Sequence, residues 1–259
     1  MLRSRHDPAA EAMGLDRIVC LFPCGPNPGA DPMPLAAPDV ERLFTLGSVY
    51  DCGEGRSAEV TRLPEAELPL SSGRVVAHDP FWGFEDEPAP FTVSVKPGTY
   101  TVVVSVAEVA WETDPESRHE RVAAAWLRTS QEPAATWELA LVDGQDIGEL
   151  SAEQFFGYGV DAGTGCFVDA AATPALAEFL GEDCVPLENA MIPDDGDEAP
   201  CGPVVLSDPA SGHSFVAFWS GWGDGAYPTW IGRSTTGEVT GFVTEFLVVP
   251  QPGRAQAGE

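Results

Sequence analysis

The sequence predicts a mainly β protein: an antiparallel β-sandwich or partly open barrel with one or two short helices and an N-terminal extension. Three observations carry this. Apolar residues recur with period two in a series of short runs, the pattern of strands with one buried face. The chain holds 27 glycines and 24 prolines, a density of breakers that suits many turns and few helices. Aromatic side chains, which favour pleated and half-buried surfaces, are plentiful and include Trp82, Trp111, Trp126, Trp137, Trp219, Trp222 and Trp230.

Residues 1–67 read as an extension packed on the main domain, with Pro-rich connections followed by APDVERLFTLG. There Pro38 can open a short helix, Val40, Leu43 and Phe44 share one face, and Gly47 can end it. Residues 68–250 read as the β-rich domain and 251–259 as a disordered tail. FTVSV and TYTVVVSVAEVAW flank Lys96-Pro97-Gly98-Thr99, and Pro followed by Gly is the pairing of a type II turn, so a hairpin is expected there. Further strands are expected in ERVAAAWLRTS, ATWELALV, GYGVDAGTGCFVD, HSFVAFWSGW, YPTWIGRS and EVTGFVTEFLVV. A helix is expected with Thr173 as its cap and Pro174 in its first turn. The stretch LGEDCVPLENAMIPDDGDEAPCGP reads as a long acidic loop, and no internal repeat stands out.

Charge narrows the partners. The 41 acidic residues against 13 Lys and Arg give a net charge of −28, and no basic residue other than histidine lies between Arg128 and Arg233. Such a field repels nucleic acid and anionic lipid and attracts cations or a basic protein. No apolar run reaches the ~20 residues of a membrane span, and the N-terminal stretch before Pro23 lacks a signal-peptide core, so a cytoplasmic location is expected. The six cysteines are too sparse for a disulfide scaffold, and none stands in a C-x-x-C pair.

Catalytic motifs are few. The sequence has no G-x-S-x-G, no phosphate-binding G-x-x-x-x-G-K-[ST], no H-E-x-x-H and no dinucleotide fingerprint, and His6, His78, His119 and His213 are not at metal-ligand spacing. Cys166, within an apolar strand, reads as packed. What remains is a set of turns that join carboxylates to glycines: Asp161 in GVDAGTG, Asp169 in CFVD and Asp224 in SGWGDG. Glycine lets a backbone approach a ligand, while Asp offers hard oxygens to calcium or magnesium or accepts backbone N–H bonds that close its own turn. SGWGDGAYPTW adds Ser220, Trp222, Tyr227 and Trp230 as candidate ligand contacts, with Gly223 or Gly225 expected at positive φ.

The ordered set LPLSSGRVVAHDPF, VKPGTYTVVVSVAE, RVAAAWLRTS, WELAL, FGYGVDAGTGCFVD and SGWGDGAYPTWIGRSTTGEVTGFVTEF resembles the bacterial family of domain of unknown function 4241, over roughly Leu68 to Val249. Glu245 departs from the Asp that the resemblance leads one to expect in the closing strand. The resemblance implies no activity and no catalytic residue. The expected function is therefore a non-catalytic binding or interaction module, in one version an acidic immunity-like or antitoxin-like partner of a basic protein, in another a receptor for a small ligand. No cofactor is predicted beyond a divalent cation. The alternative is a metal-assisted hydrolase using Asp161, Asp169 and Asp224, and the oligomeric state is left open.

Overall fold

The computed structural model describes residues 19–21, 34–152, 154–192 and 201–254. In chain order the elements are β1 (Val19–Leu21), α1 (Val40–Leu43), β2 (Val49–Gly53), β3 (Arg56–Arg62), β4 (Glu65–Leu70), β5 (Val75–His78), β6 (Gly98–Trp111), β7 (Asp114–Arg128), β8 (Thr136–Leu139), β9 (Gln154–Val160), β10 (Thr164–Asp169), α2 (Thr173–Leu180), α3 (Val185–Met191), β11 (Val204–Ser207), β12 (Ser214–Trp219), β13 (Gly225–Arg233) and β14 (Val239–Glu245). The fold is mainly β and its strand pairs are antiparallel.

Ten strands form one sheet that curls as a half-barrel, in the order β1-β9-β13-β14-β7-β6-β3-β2, with β4 also pairing with β6 and β8 with β13. The other four form a second sheet, β11-β12-β10-β5. Period two divides the small sheet's side chains between two cores. Val75, Phe167, Val216 and Phe218 face the large sheet, whereas Val76, Cys166, Val168, Phe215 and Ala217 pack with Leu176, Leu180, Leu187 and Met191 of α2 and α3. The small sheet is thus a middle layer covered on both faces, which is why TGCFVD is buried throughout and its burial does not alternate.

Several expectations are corrected. FTVSV is not the hairpin partner of β6, because β4 already occupies that edge from Gly98 to Val103. The long hairpin is instead β6 with β7. FTVSV runs along the seam between the sheets: the Phe91 and Val95 N–H groups donate to the Val75 and Gly73 carbonyls, and the Thr92 N–H donates to Leu141 O. GYGVDAGTGCFVD is two strands in different sheets, joined by a corner at residues 161–163. The acidic loop contains a third helix, α3, where Pro186 sits in the first turn and Leu187 and Met191, one helical turn apart, are buried. The run PDDGDE within that loop lies outside the described residues. Thr173 does not cap α2; it is the first helical residue, and its hydroxyl donates to Ala170 O. α1 forms as expected, with Asp39 accepting from the Arg42 N–H.

Residues 49–62 continue the large sheet through β2 and β3. At the other end of the chain Arg254 belongs to the fold, donating through Nη1 and Nη2 to the Glu245 carboxylate at 2.7 and 2.9 Å, with both side chains almost fully buried. Burial pushes the Glu245 carboxyl up from its ordinary value, and Arg254 holds it back.

A local two-fold relation links β5 and β10. Gly73 and Asp79 recur in the same spacing as Gly163 and Asp169, and the pair Ala77–Phe167 stands at the centre of the ladder between them. The Asp79 carboxylate accepts from the N–H groups of Asp161, Ala162 and Phe81 at 2.9, 3.1 and 2.9 Å. Asp169 does the same at the opposite end of the ladder, accepting from Ser72 N–H at 2.8 Å, Ser72 Oγ at 2.6 Å, Gly73 N–H at 3.3 Å and Ala171 N–H at 2.7 Å. Each carboxylate satisfies amides that have no ladder partner where the chain enters the small sheet. Asp79→Ala and Asp169→Ala are each expected to cost on the order of 3 kcal/mol by urea unfolding, because the stranded donors stay buried. Asp161→Asn and Asp224→Asn, both at exposed sites, should stay within about 0.5 kcal/mol.

Candidate functional site

The stretch SGWGDGAYPTW carries the chain from β12 in the small sheet to β13 in the large one, and its polar groups serve that corner. Ser220, only 1% exposed, donates from Oγ to Gly223 O at 2.8 Å, and the Ser220 N–H donates to Gly163 O at 2.9 Å. The Tyr227 hydroxyl donates toward the carbonyls of Ser220 and Gly223 at 3.0 and 2.6 Å, while its ring packs edge-on against Phe246. Burial raises the Tyr227 pKa above its ordinary value. Trp230 is buried in a third cluster with Leu139, Phe155 and Phe156. Ser220, Tyr227 and Trp230 are therefore held in the interior. Trp222 is the exposed aromatic, at 48%, with the Arg121 guanidinium 4.9 Å from its ring centroid.

The three aspartates do not form one oxygen-rich site. Val160 pairs with Gly225, so the next residues, Asp161 and Asp224, flank the same ladder end and both are exposed. Asp169 stands at the far end of β10, about 16 Å along the strand from Thr164. Its oxygens are taken by Ser72, Gly73 and Ala171. Among the described residues no three His, Cys, Asp or Glu side chains come together as a metal site. Asp161 and Asp224 thus stand together at one ladder end, and Asp169 stands apart from them. Cys166 lies in the core beneath the helices, where burial pushes its thiol well up, the opposite of an activated nucleophile.

The missed carboxylate is Asp79, fully buried behind the 161–163 corner, where desolvation raises its pKa although three N–H donors oppose the shift. Beside it lies a cavity of about 300 Å³, walled by Ala77 and His78 of β5, by β9, by Thr229 of β13, by the 82–91 segment and by residues 140–145. Trp82, Phe91, Phe156 and Tyr158 supply most of its aromatic surface. Gly83, Gly157 and Gly159 also line it. The Tyr158 hydroxyl reaches past the strand to accept from Thr244 Oγ1 at 3.1 Å, and it occupies the space that a Cβ on Gly165 would need. His78 donates from Nε2 to the Gly83 carbonyl at 2.9 Å, which ties the Trp82–Gly83 turn to β5. Thr229, the residue of SGWGDGAYPTW that sequence reasoning passed over, lines the cavity at 2% exposure, and its Oγ1 has no hydrogen-bond partner among the described residues. The available signals were the F-G-Y-G alternation of β9 and the exposed tryptophan of DPFWGF.

A family model described as a protein of unknown function (DUF4241) matches residues 68–244, and the chain belongs to that family. No curated protein and no solved structure matches it. Among the described residues no helix is long and apolar enough to cross a membrane.

The glycines of the corner differ in what they require. Gly221 has φ 61° and a Cβ there would lie 2.7 Å from Val248 Cγ2 and 2.9 Å from Phe246 Cβ. Gly223 has φ 113° with open space around it, as the sequence led one to expect of its φ. Gly223→Ala should cost about 1 kcal/mol through conformation alone. Gly221→Ala should cost about 3 kcal/mol, conformational strain adding to overpacking, and thermal unfolding of the pair measures the difference.

Proposed function

We propose that this protein is a non-catalytic binding module and that its ligand seats in the cavity between β5, β9 and β13. The observation that carries the reading is an aromatic-walled cavity of about 300 Å³, with a buried, unpartnered hydroxyl, Thr229 Oγ1, sealed behind its wall. Ligand sites are commonly concave and apolar with a few convergent polar groups, and an uncompensated buried hydroxyl is costly in a region with no other task. Thr229→Val removes the buried hydroxyl and keeps the shape of the wall. The variant should be more stable by about 0.5–1 kcal/mol in urea unfolding and should still bind fragment hits. The hits themselves should perturb amide shifts at Trp82, Tyr158 and Thr229; perturbations confined to other surfaces would overturn the reading.

A second reading, an acidic immunity-like or antitoxin-like partner for a basic protein, is favoured by the Lys- and Arg-free span from Thr129 to Gly232 and by Trp222, exposed two residues before Asp224. Its expected signature is an association rate that falls steeply between low and physiological ionic strength while dissociation changes little, measured by surface binding kinetics with the captured partner. The unbridged thiols Cys52, Cys166, Cys184 and Cys201 support a reducing compartment, in keeping with a bacterial cytoplasmic protein.

A further inference from the structure

The chemistry of the cavity wall narrows what can enter it. Among the described residues that line it there is no Lys or Arg, and Asp86, exposed at the rim, is the acidic side chain. An anion placed there would lose hydration with no positive partner, against a chain whose net charge is −28. Trp82, 44% exposed, presents ring surface at the mouth. Tyr158 and Phe91 supply more ring surface within the wall. Ring faces carry negative potential, so they favour flat rings and cations together. His78 commits its Nε2–H to Gly83 O, and Thr229 Oγ1 is sealed behind the wall, so recognition falls to the rings and to Asp86. The volume, about 300 Å³, lies at the small end of ligand pockets and suits one or two fused rings.

Resting on the reading of the cavity as the ligand seat, we propose that it takes a small flat-ring amine: the ring between Trp82 and Tyr158 and the ammonium group toward Asp86.

Three probes with one ring system separate the parts of this proposal: tryptamine, indole and indole-3-acetate, titrated calorimetrically into the full chain at fixed ionic strength. Tryptamine should bind on the order of fivefold more tightly than indole, the scale of one exposed charge pair, and indole-3-acetate should bind most weakly. Asp86→Asn should bring the tryptamine-to-indole ratio close to one and leave indole unchanged. Trp82→Ala should weaken both, and Asp224→Asn, an equal charge change at an exposed site outside the cavity, should alter neither. If indole binds but tryptamine gains nothing, if indole-3-acetate binds best, or if Asp86→Asn and Asp224→Asn act alike, the amine assignment falls and the ligand seat stands. If none of the three binds, the ligand seat itself is overturned and the assignment with it.

Discussion

A chain that passes from one sheet to another must find partners for backbone amides that have left every strand ladder, and the structure depends on how this is done. The chain makes that passage between β4 and β5, β5 and β6, β9 and β10, and β12 and β13. Asp169 accepts the amides of the first passage, Asp79 those of the third, and Ser220 with Tyr227 close the fourth. A buried carboxylate is expensive to desolvate, but three or four N–H and O–H donors satisfy it and in turn are satisfied. The local two-fold between β5 and β10 follows from this, since the same solution serves both ends of one ladder.

The remaining passage is long, and there the cavity arises. Between β5 and β6 the segment from Asp79 to Pro97 first turns over Pro80–Trp82, then threads between the outer edge of β5 and Leu141, bonding to both. Two sheets meeting along such a seam cannot interdigitate side chains as their face-to-face layers do. Rigid corners on either side and an exposed tryptophan at the mouth make a seat whose shape is set by the sheets and not by its own loop.

The two ends of the described chain are locked by another buried group. Arg254 pairs with Glu245 at the end of β14 and also donates to the carbonyl of Ala36, while Gln251 accepts from the Asp39 N–H. The longer Glu side chain, where an Asp was expected from the resemblance, reaches a guanidinium that lies beyond the family match. Removing one partner of such a pair strands the other charge, so the two ends hold each other in place.

The sequence by itself determined what depends on local patterning. The mainly β class followed from period two and the density of turn residues, α1 from the spacing of Val40, Leu43 and Phe44, and the positive φ of Gly223 from its place in SGWGDG. Tertiary structure decided which edge each strand would find: FTVSV looked like the partner of β6 until β4 took that edge, and α3 was hidden because acidic flanks mask a buried pair, Leu187 and Met191. It decided the site as well. Asp161, Asp169 and Asp224 share a local signature, an Asp beside small residues, but carboxylates converge or part according to which end of a strand they occupy in space. Thr229 and Trp82 are remote in sequence and meet around one cavity only because β5 and β13 belong to different sheets that pack along a seam. Periodicity reports the face on which a side chain lies; it carries no information about the element that will oppose it.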